Sequence, residues 1–150
     1  MTCVLTKAAE NFVTPLAVRA FSGQPVYGDF FSYETPYDVL HTSLAEESDV
    51  ILVAPASADF IARLAAGMAD DLGSCIILAA KKPVVVAPAM NDQMYLHPLT
   101  QKNLGILKEI GYHILDPVEG DLVCGKTAIG HIPDPKTLAD AVQAIISCHP

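Results

Sequence analysis

Short, almost wholly apolar runs alternate along the chain with segments whose apolar residues recur at helical spacing. Asp49-Val50-Ile51-Leu52-Val53-Ala54 and Pro83-Val84-Val85-Val86-Ala87 are β-branched runs ending at or beside a proline, the pattern of strands buried on both faces of a parallel sheet. Between them Phe60, Ile61, Leu64, Ala65 and Met68 fall at i, i+1, i+4, i+5 and i+8, which predicts a helix with one apolar face. A second helical piece is expected over residues 71–80. Farther on, a helix over 99–110 should end with Gly111 as its C′ residue and lead into a strand over 112–115. The last helix is expected over 137–146, with Asp134 as N-cap and Pro135 at the first helical position. Upstream, residues 2–5 read as a strand and 15–21 as a helix stopped by Ser22-Gly23.

Strands alternating with helices in this way predict a three-layer, doubly wound α/β fold around a parallel sheet. No Ser/Gly-rich linker, charge block or repeat interrupts the pattern, so residues 1–150 read as one domain. In such sheets ligands sit outside the carboxyl ends of the strands. The loops in question begin at Thr6, Pro55 and Pro88, and a further loop covers residues 116–133. The chain opens directly on a buried-type strand and contains neither G-x-G nor G-G. Either the fold is unusual or the strand, glycine turn and helix that normally begin a doubly wound domain are missing.

Composition narrows the partners. Nine Lys+Arg against seventeen Asp+Glu give a net charge of −8, which argues against nucleic acid or an anionic membrane surface. Hydrophobic residues make up 51% and charged ones 17%, below the roughly 25% usual for soluble domains. Apolar surface is thus expected to meet another subunit. No apolar run reaches the roughly 18 to 20 residues a bilayer needs, and residues 1–7 do not read as the start of a secretory leader, so a cytoplasmic protein is expected. Cysteines at 3, 75, 124 and 148 are too unevenly spaced for a zinc site, and no metal or disulfide is expected.

Candidate chemistry gathers in the loops. Pro88-Ala89-Met90-Asn91-Asp92-Gln93-Met94-Tyr95 places an amide and two thioethers after a rigid strand end, suited to a planar or carboxylate ligand. A plain helix cap at Asn91 over a Met-lined core is the competing reading. Pro55-Ala56-Ser57-Ala58-Asp59-Phe60 opens a helix with small residues, whose first-turn N–H groups suit an anion or ring carbonyl; taken alone, Ser57 is more simply an N-cap. His41 lies near the entrance of a helix, where imidazole could accept a proton, although a lone surface histidine is the commoner case. His97, His113, His131 and His149 lack supporting context. Cys124, in Asp121-Leu122-Val123-Cys124-Gly125-Lys126, sits in a stretch long enough to act as a lid that delivers a thiol. Cys3 and Cys75 read as small core residues, and Cys148 belongs to the fraying tail.

Taken in order, these landmarks resemble the flavin-dependent cysteine decarboxylases. The family's P-x-M-N-x-x-M motif is matched by Pro88, Met90, Asn91 and Met94, its flavin loop by Ala54-Pro55-Ala56-Ser57-Ala58, its histidine by His41 and its clamp cysteine by Cys124. Thr6-Lys7, Phe12-Val13-Thr14-Pro15 and Gly67-Met68-Ala69-Asp70-Asp71-Leu72 are similar as well. The resemblance implies a Rossmann-like flavoprotein fold that binds FMN through Thr6, Lys7, Ser57, Ala58, Asp59 and the backbone at Ala89. It implies substrate contacts from Asn91, Met94, Asp121, Leu122 and Val123, with His41 and Cys124 as the catalytic pair.

Within the family the clamp cysteine is similar to that of members which decarboxylate 4′-phosphopantothenoylcysteine in coenzyme A biosynthesis. Peptide-cysteine decarboxylases lack it, and flavin prenyltransferases lack the P-x-M-N-x-x-M motif. A homo-oligomer built on trimers is implied, either a trimer or a trimer-based dodecamer. The alternatives are a non-catalytic flavin-binding or regulatory homologue, told apart by the colour of the protein and its turnover, and a peptide-cysteine decarboxylase. Tyr95 stands where the family more often has Trp, and Gly130-His131-Ile132 where it has Gly-Arg-Met.

Overall fold

The computed structural model describes residues 1–28, 39–121, 125 and 127–148. They divide into two compact units, Met1–Glu47 with Ala69–Ala80, and Ser48–Met68 with Lys81–Pro150. The second unit grows from the Val84-Val85-Val86-Ala87 run, whose side chains are all buried. This strand, β4 (Val84–Pro88), lies between β3 (Ile51–Ala56) and β5 (His113–Ile114), all parallel. A strand flanked on both edges and covered on both faces tolerates only apolar side chains, as its sequence predicts.

β3 departs from that expectation. Ile51 and Val53 are half-buried while Leu52, Ala54 and Pro55 are exposed, the alternation of an edge strand with one covered face. A register shift after Val53 brings Ala56 opposite Pro88, so the two strands end side by side; the Ala54–Pro55 bond is cis.

Two helices pack against each other in this unit, α3 (Ala58–Ala65) and α6 (Pro98–Glu109). They enclose Phe60, Ile61 and Leu64 from the first and Leu104 and Leu107 from the second. α3 stops before the predicted Met68. Gly67 turns left-handed (φ 67°), and the Gly67 and Met68 N–H groups donate to the Leu64 and Arg63 carbonyls at 3.0 and 2.9 Å. This glycine stop leaves Met68 beyond the helix and exposed. α6 ends as expected, with Gly111 at φ 95° and Tyr112 N–H donating to Leu107 O at 2.9 Å. The final helix, α7 (Pro135–Cys148), starts where predicted: Asp134 Oδ1 accepts from the Lys136 and Thr137 amides, both at 3.0 Å.

The stretch expected to be a long loop is instead an antiparallel hairpin, β6 (Val118–Asp121) with β7 (Thr127–His131). Its strands carry Glu119, Gly120, Asp121, Gly130 and His131 in place of alternating β-branched residues, so no period-two signal marked them. The tertiary partner of β7 compensates, as the site geometry makes plain.

The first unit is shallower. β1 (Cys3–Val4) pairs in parallel with β2 (Val26–Tyr27), a two-residue strand too short to leave a sequence pattern. α1 (Pro15–Ser22) is capped by Thr14, whose Oγ1 accepts from Ala17 N–H at 3.2 Å, and Gly23 (φ 64°) ends it. It buries nothing, and Phe12, Leu16 and Phe21 stay exposed. α2 (Leu40–Glu47) packs on α4 (Leu72–Ala79) through Leu40, Leu44, Leu72, Ile76 and Ile77. α4 opens with a capping box in which Asp71 and Ser74 each satisfy the other's amide. Among the described residues no helix is long and apolar enough to cross a membrane.

Candidate active site

The turn after β4 carries the densest chemistry. Proline closes the strand, and Asn91 then caps α5 (Asp92–Leu96), its Oδ1 accepting from Gln93 N–H at 3.0 Å. The cap reading of Asn91 is therefore realised, and it orients the side chain. Two tertiary bonds hold the backbone just before it. Ala89 N–H donates to Ala56 O at the end of β3, and Met90 N–H donates to Gly130 O in β7, both at 3.1 Å. The turn is thus wedged between a strand end on one side and the hairpin on the other.

Beside it α3 begins. Ser57 is its N-cap, Oγ accepting from Phe60 N–H at 3.2 Å. The Ala58 and Asp59 amides lie before the first intrahelical acceptor, and the exposed Ala54 and Pro55 beside them are small. A planar group can reach backbone here, and its polar edge would meet N–H donors. The Asp59 carboxylate is exposed and bonded to Arg63 Nε at 3.2 Å, while the Arg63 guanidinium lies 5.0 Å from the Phe60 ring centre.

Thr6 and Lys7 belong to the first unit. Thr6 Oγ1 accepts from Ala9 N–H at 3.2 Å and so starts a short 3-10 turn, leaving Lys7 exposed. His41 is the second residue of α2 and half-buried. The structure therefore brings Ser57, Ala58, Asp59, Ala89 and Asn91 together in the second unit, while Thr6, Lys7 and His41 lie in the first. Met94 is exposed on α5. Asp121 pairs with Thr127 in the hairpin; Leu122, Val123 and Cys124 lie outside the described residues.

Sequence reasoning named Tyr95 only as the motif's aromatic and missed the contacts by which it braces this turn. Tyr95 is buried, and its hydroxyl donates to Asp116 Oδ1 at 3.2 Å. Burial first, and the Asp116 carboxylate second, push the Tyr95 phenol above its ordinary pKa. Gln101 Nε2 donates to the Tyr95 carbonyl at 2.6 Å, and Lys108 Nζ stands 3.6 Å from Asp116 Oδ1. No local signal links Tyr95 to Asp116, because neither residue type nor spacing announces a contact between α5 and the chain just after β5, 21 residues away. Cys75, read as a small core residue, is half-buried and donates from Sγ to the Ala69 carbonyl at 3.2 Å. Burial, then Asp71 and Asp70, push its thiol pKa up, so it stays a neutral thiol.

Comparison with known proteins gives the family of the chain. The family model described as Flavoprotein matches residues 1–147. The chain is 44% identical over 135 residues to the coenzyme A biosynthesis bifunctional protein CoaBC of Vibrio vulnificus (strain YJ016), covering 90% of this chain and 34% of that protein. It is 43% identical over 143 residues to the Escherichia coli (strain K12) protein of the same name, covering 95% and 35%. The chain thus spans about a third of the length of these curated relatives. Among solved structures it superposes on a Cys-to-Ser variant of PPC decarboxylase complexed with pantothenoylaminoethenethiol, at TM-score 0.83 and 32% identity over 95% of this chain and 81% of that one. The FMN-dependent cysteine decarboxylase SpaF gives TM-score 0.83 and 31% identity, over 97% and 77%.

Proposed function

The chain belongs to the Flavoprotein family, and from that premise we propose that it is an FMN-dependent carboxy-lyase converting 4′-phosphopantothenoylcysteine to 4′-phosphopantetheine in coenzyme A biosynthesis. The observation that carries this reading is the likeness, over nearly the whole chain, to the PPC decarboxylase structure. In this reading residues 1–150 act as one catalytic domain, in the cytoplasm, assembled as a homo-oligomer, a trimer or a trimer-based dodecamer. The exposed Phe12, Leu16 and Phe21 and the scarcity of charge support such assembly.

The residues of the second unit suit a flavin. The small, uncovered end of β3 and the first-turn amides of α3 supply a surface for a ring and donors for its polar edge, with Ser57, Ala58, Asp59 and the Ala89 backbone as the holding groups. Thr6 and Lys7 are assigned to the same cofactor by their motif. When bound, FMN supplies the two-electron oxidation and the returning reduction on either side of carbon dioxide loss.

The remaining work falls to the chain's own side chains. Asn91 spends its Oδ1 on the α5 cap, so a substrate carboxylate is met by the Nδ2 donors. Met94 offers an apolar contact beside it, and Asp121, Leu122 and Val123 are assigned to the substrate as part of the clamp. The His41 imidazole accepts the thiol proton as the carbon bearing sulfur is oxidised. The resulting carbon–sulfur double bond lies beta to the carboxylate and receives the electron pair released as carbon dioxide departs, leaving an enethiolate. Cys124 then donates the proton needed when the carbon–carbon double bond is reduced.

The test is mass spectrometry of the purified, yellow protein with 4′-phosphopantothenoylcysteine. Carbon dioxide and 4′-phosphopantetheine are expected. Flavin-loaded protein that releases neither would overturn the proposal in favour of a binding or regulatory protein. Cys124→Ser should still release carbon dioxide but accumulate the enethiol; a wild-type chain that itself stops at the enethiol would instead act as the peptide-cysteine decarboxylases do.

A further inference from the structure

The short helix α5, with Asn91 as its cap and Met94 within it, is tied at both ends to a single stretch of chain. At its front, Met90 N–H donates to Gly130 O at 3.1 Å. Gly130 (φ 138°) lies so close beneath the Met90 carbonyl that a Cβ added there would overlap the carbonyl oxygen. At its back, the Tyr95 hydroxyl donates to Asp116 Oδ1 at 3.2 Å. Gly130 is in β7 and Asp116 lies just before β6, so the hairpin and the Asn91 turn share both anchors.

We propose that Gly130 and the Tyr95–Asp116 pair are positioning residues that register the β6–β7 hairpin against the Asn91 turn and so fix where the Asn91 amide meets the substrate carboxylate. This rests on the carboxylate role proposed above for Asn91. The demand on Gly130 is doubly steric. Its φ belongs to a region that residues with a Cβ rarely adopt, and the overlapping partner is backbone, which no rotamer change can move aside. Any side chain at 130 must therefore displace Met90 and, with it, Asn91. Tyr95→Phe is the gentler probe, keeping the buried ring and removing only the hydroxyl.

The experiment compares wild type, Gly130→Ala, Tyr95→Phe and a control, Gly105→Ala on α6. In the control a Cβ would meet no atom within 4 Å. Hydrogen exchange over residues 89–96 is measured alongside kcat and KM for 4′-phosphopantothenoylcysteine. Gly130→Ala is expected to speed exchange across that segment and to lower kcat/KM by roughly 10²-fold, mainly through KM, the scale set by misplacing a binding group by about 1 Å. Tyr95→Phe should act in the same direction by about tenfold, the scale of one lost hydrogen bond, and Gly105→Ala should change neither readout. Exchange and KM in Gly130→Ala that match Gly105→Ala would overturn the proposal. If Gly130→Ala does not fold, unchanged exchange in Tyr95→Phe overturns it equally. A wild-type protein without turnover defeats the substrate assignment, and the exchange measurements still decide the registration.

Discussion

The Thr6 turn and the Asn91 turn both follow parallel strands, yet they are held differently. Thr6 itself bonds locally, its hydroxyl and carbonyl accepting from the Ala9 and Glu10 amides, and one bond from the residue before it, Leu5 N–H to Tyr27 O at 2.8 Å, reaches β2. The strand before it is two half-buried residues, and the helix that follows buries nothing. Around Asn91 the bonds run to Ala56 and Gly130, far away in sequence, and the strand before it is buried throughout. A local turn keeps its shape with little help. A turn held from a distance is only as rigid as the core beneath it, and in return it can aim a side chain against two other elements.

The largest effect should come from breaking that core. Leu107 is fully buried between α6 and its neighbours, and Leu107→Ala is expected to cost about 2–5 kcal/mol in urea unfolding. It should also speed hydrogen exchange at the Asn91 turn while leaving the Thr6 turn unchanged; equal loosening of both would erase the distinction. In the first unit the strongest local device is the α4 capping box. Asp71→Ala is expected to cost about 1 kcal/mol, read from the denaturation midpoint at unchanged slope. Smaller still, Phe21→Ser should cost under about 0.5 kcal/mol, since Phe21 is 94% exposed. A loss that grows with protein concentration would place that face in the subunit interface proposed above.

The smallest effect concerns pH. Hydrogen bonds from Thr137, chiefly from its hydroxyl and then its amide, hold the Asp134 carboxyl below its ordinary pKa of 3.8. A folded pKa below the unfolded one means that the stabilisation is present above about pH 4 and is lost as pH falls through the folded value. Stability measured from pH 6 downward should therefore fall less steeply in Asp134→Asn than in wild type, and parallel curves would show that the cap contributes nothing through its charge.

Much of the fold was legible because its causes are local. The all-apolar run at 84–87 could only be an enclosed strand, Gly111 and Asp134 could be read as helix boundaries, and the order of motifs from Thr6 to Asn91 pointed to the family that comparison established. The caps at Ser57 and Asn91 were legible for the same reason, since both are bonds across two or three residues. The β6–β7 hairpin was not, because Gly120, Asp121, Gly130 and His131 carry no strand pattern. β3 was misjudged because its composition does not reveal that it sits at a sheet edge.

The chain by itself thus determined its alternating elements, its helix ends and the residue types available for chemistry, all matters of spacing and short-range hydrogen bonding. Only the tertiary structure decided that Gly130 must be glycine, that the Tyr95 hydroxyl has Asp116 as its partner, and that Asn91 is aimed by a strand end and a hairpin together. Those facts depend on backbone atoms meeting across long stretches of chain, and no periodicity in a sequence encodes which distant carbonyl a given amide will find.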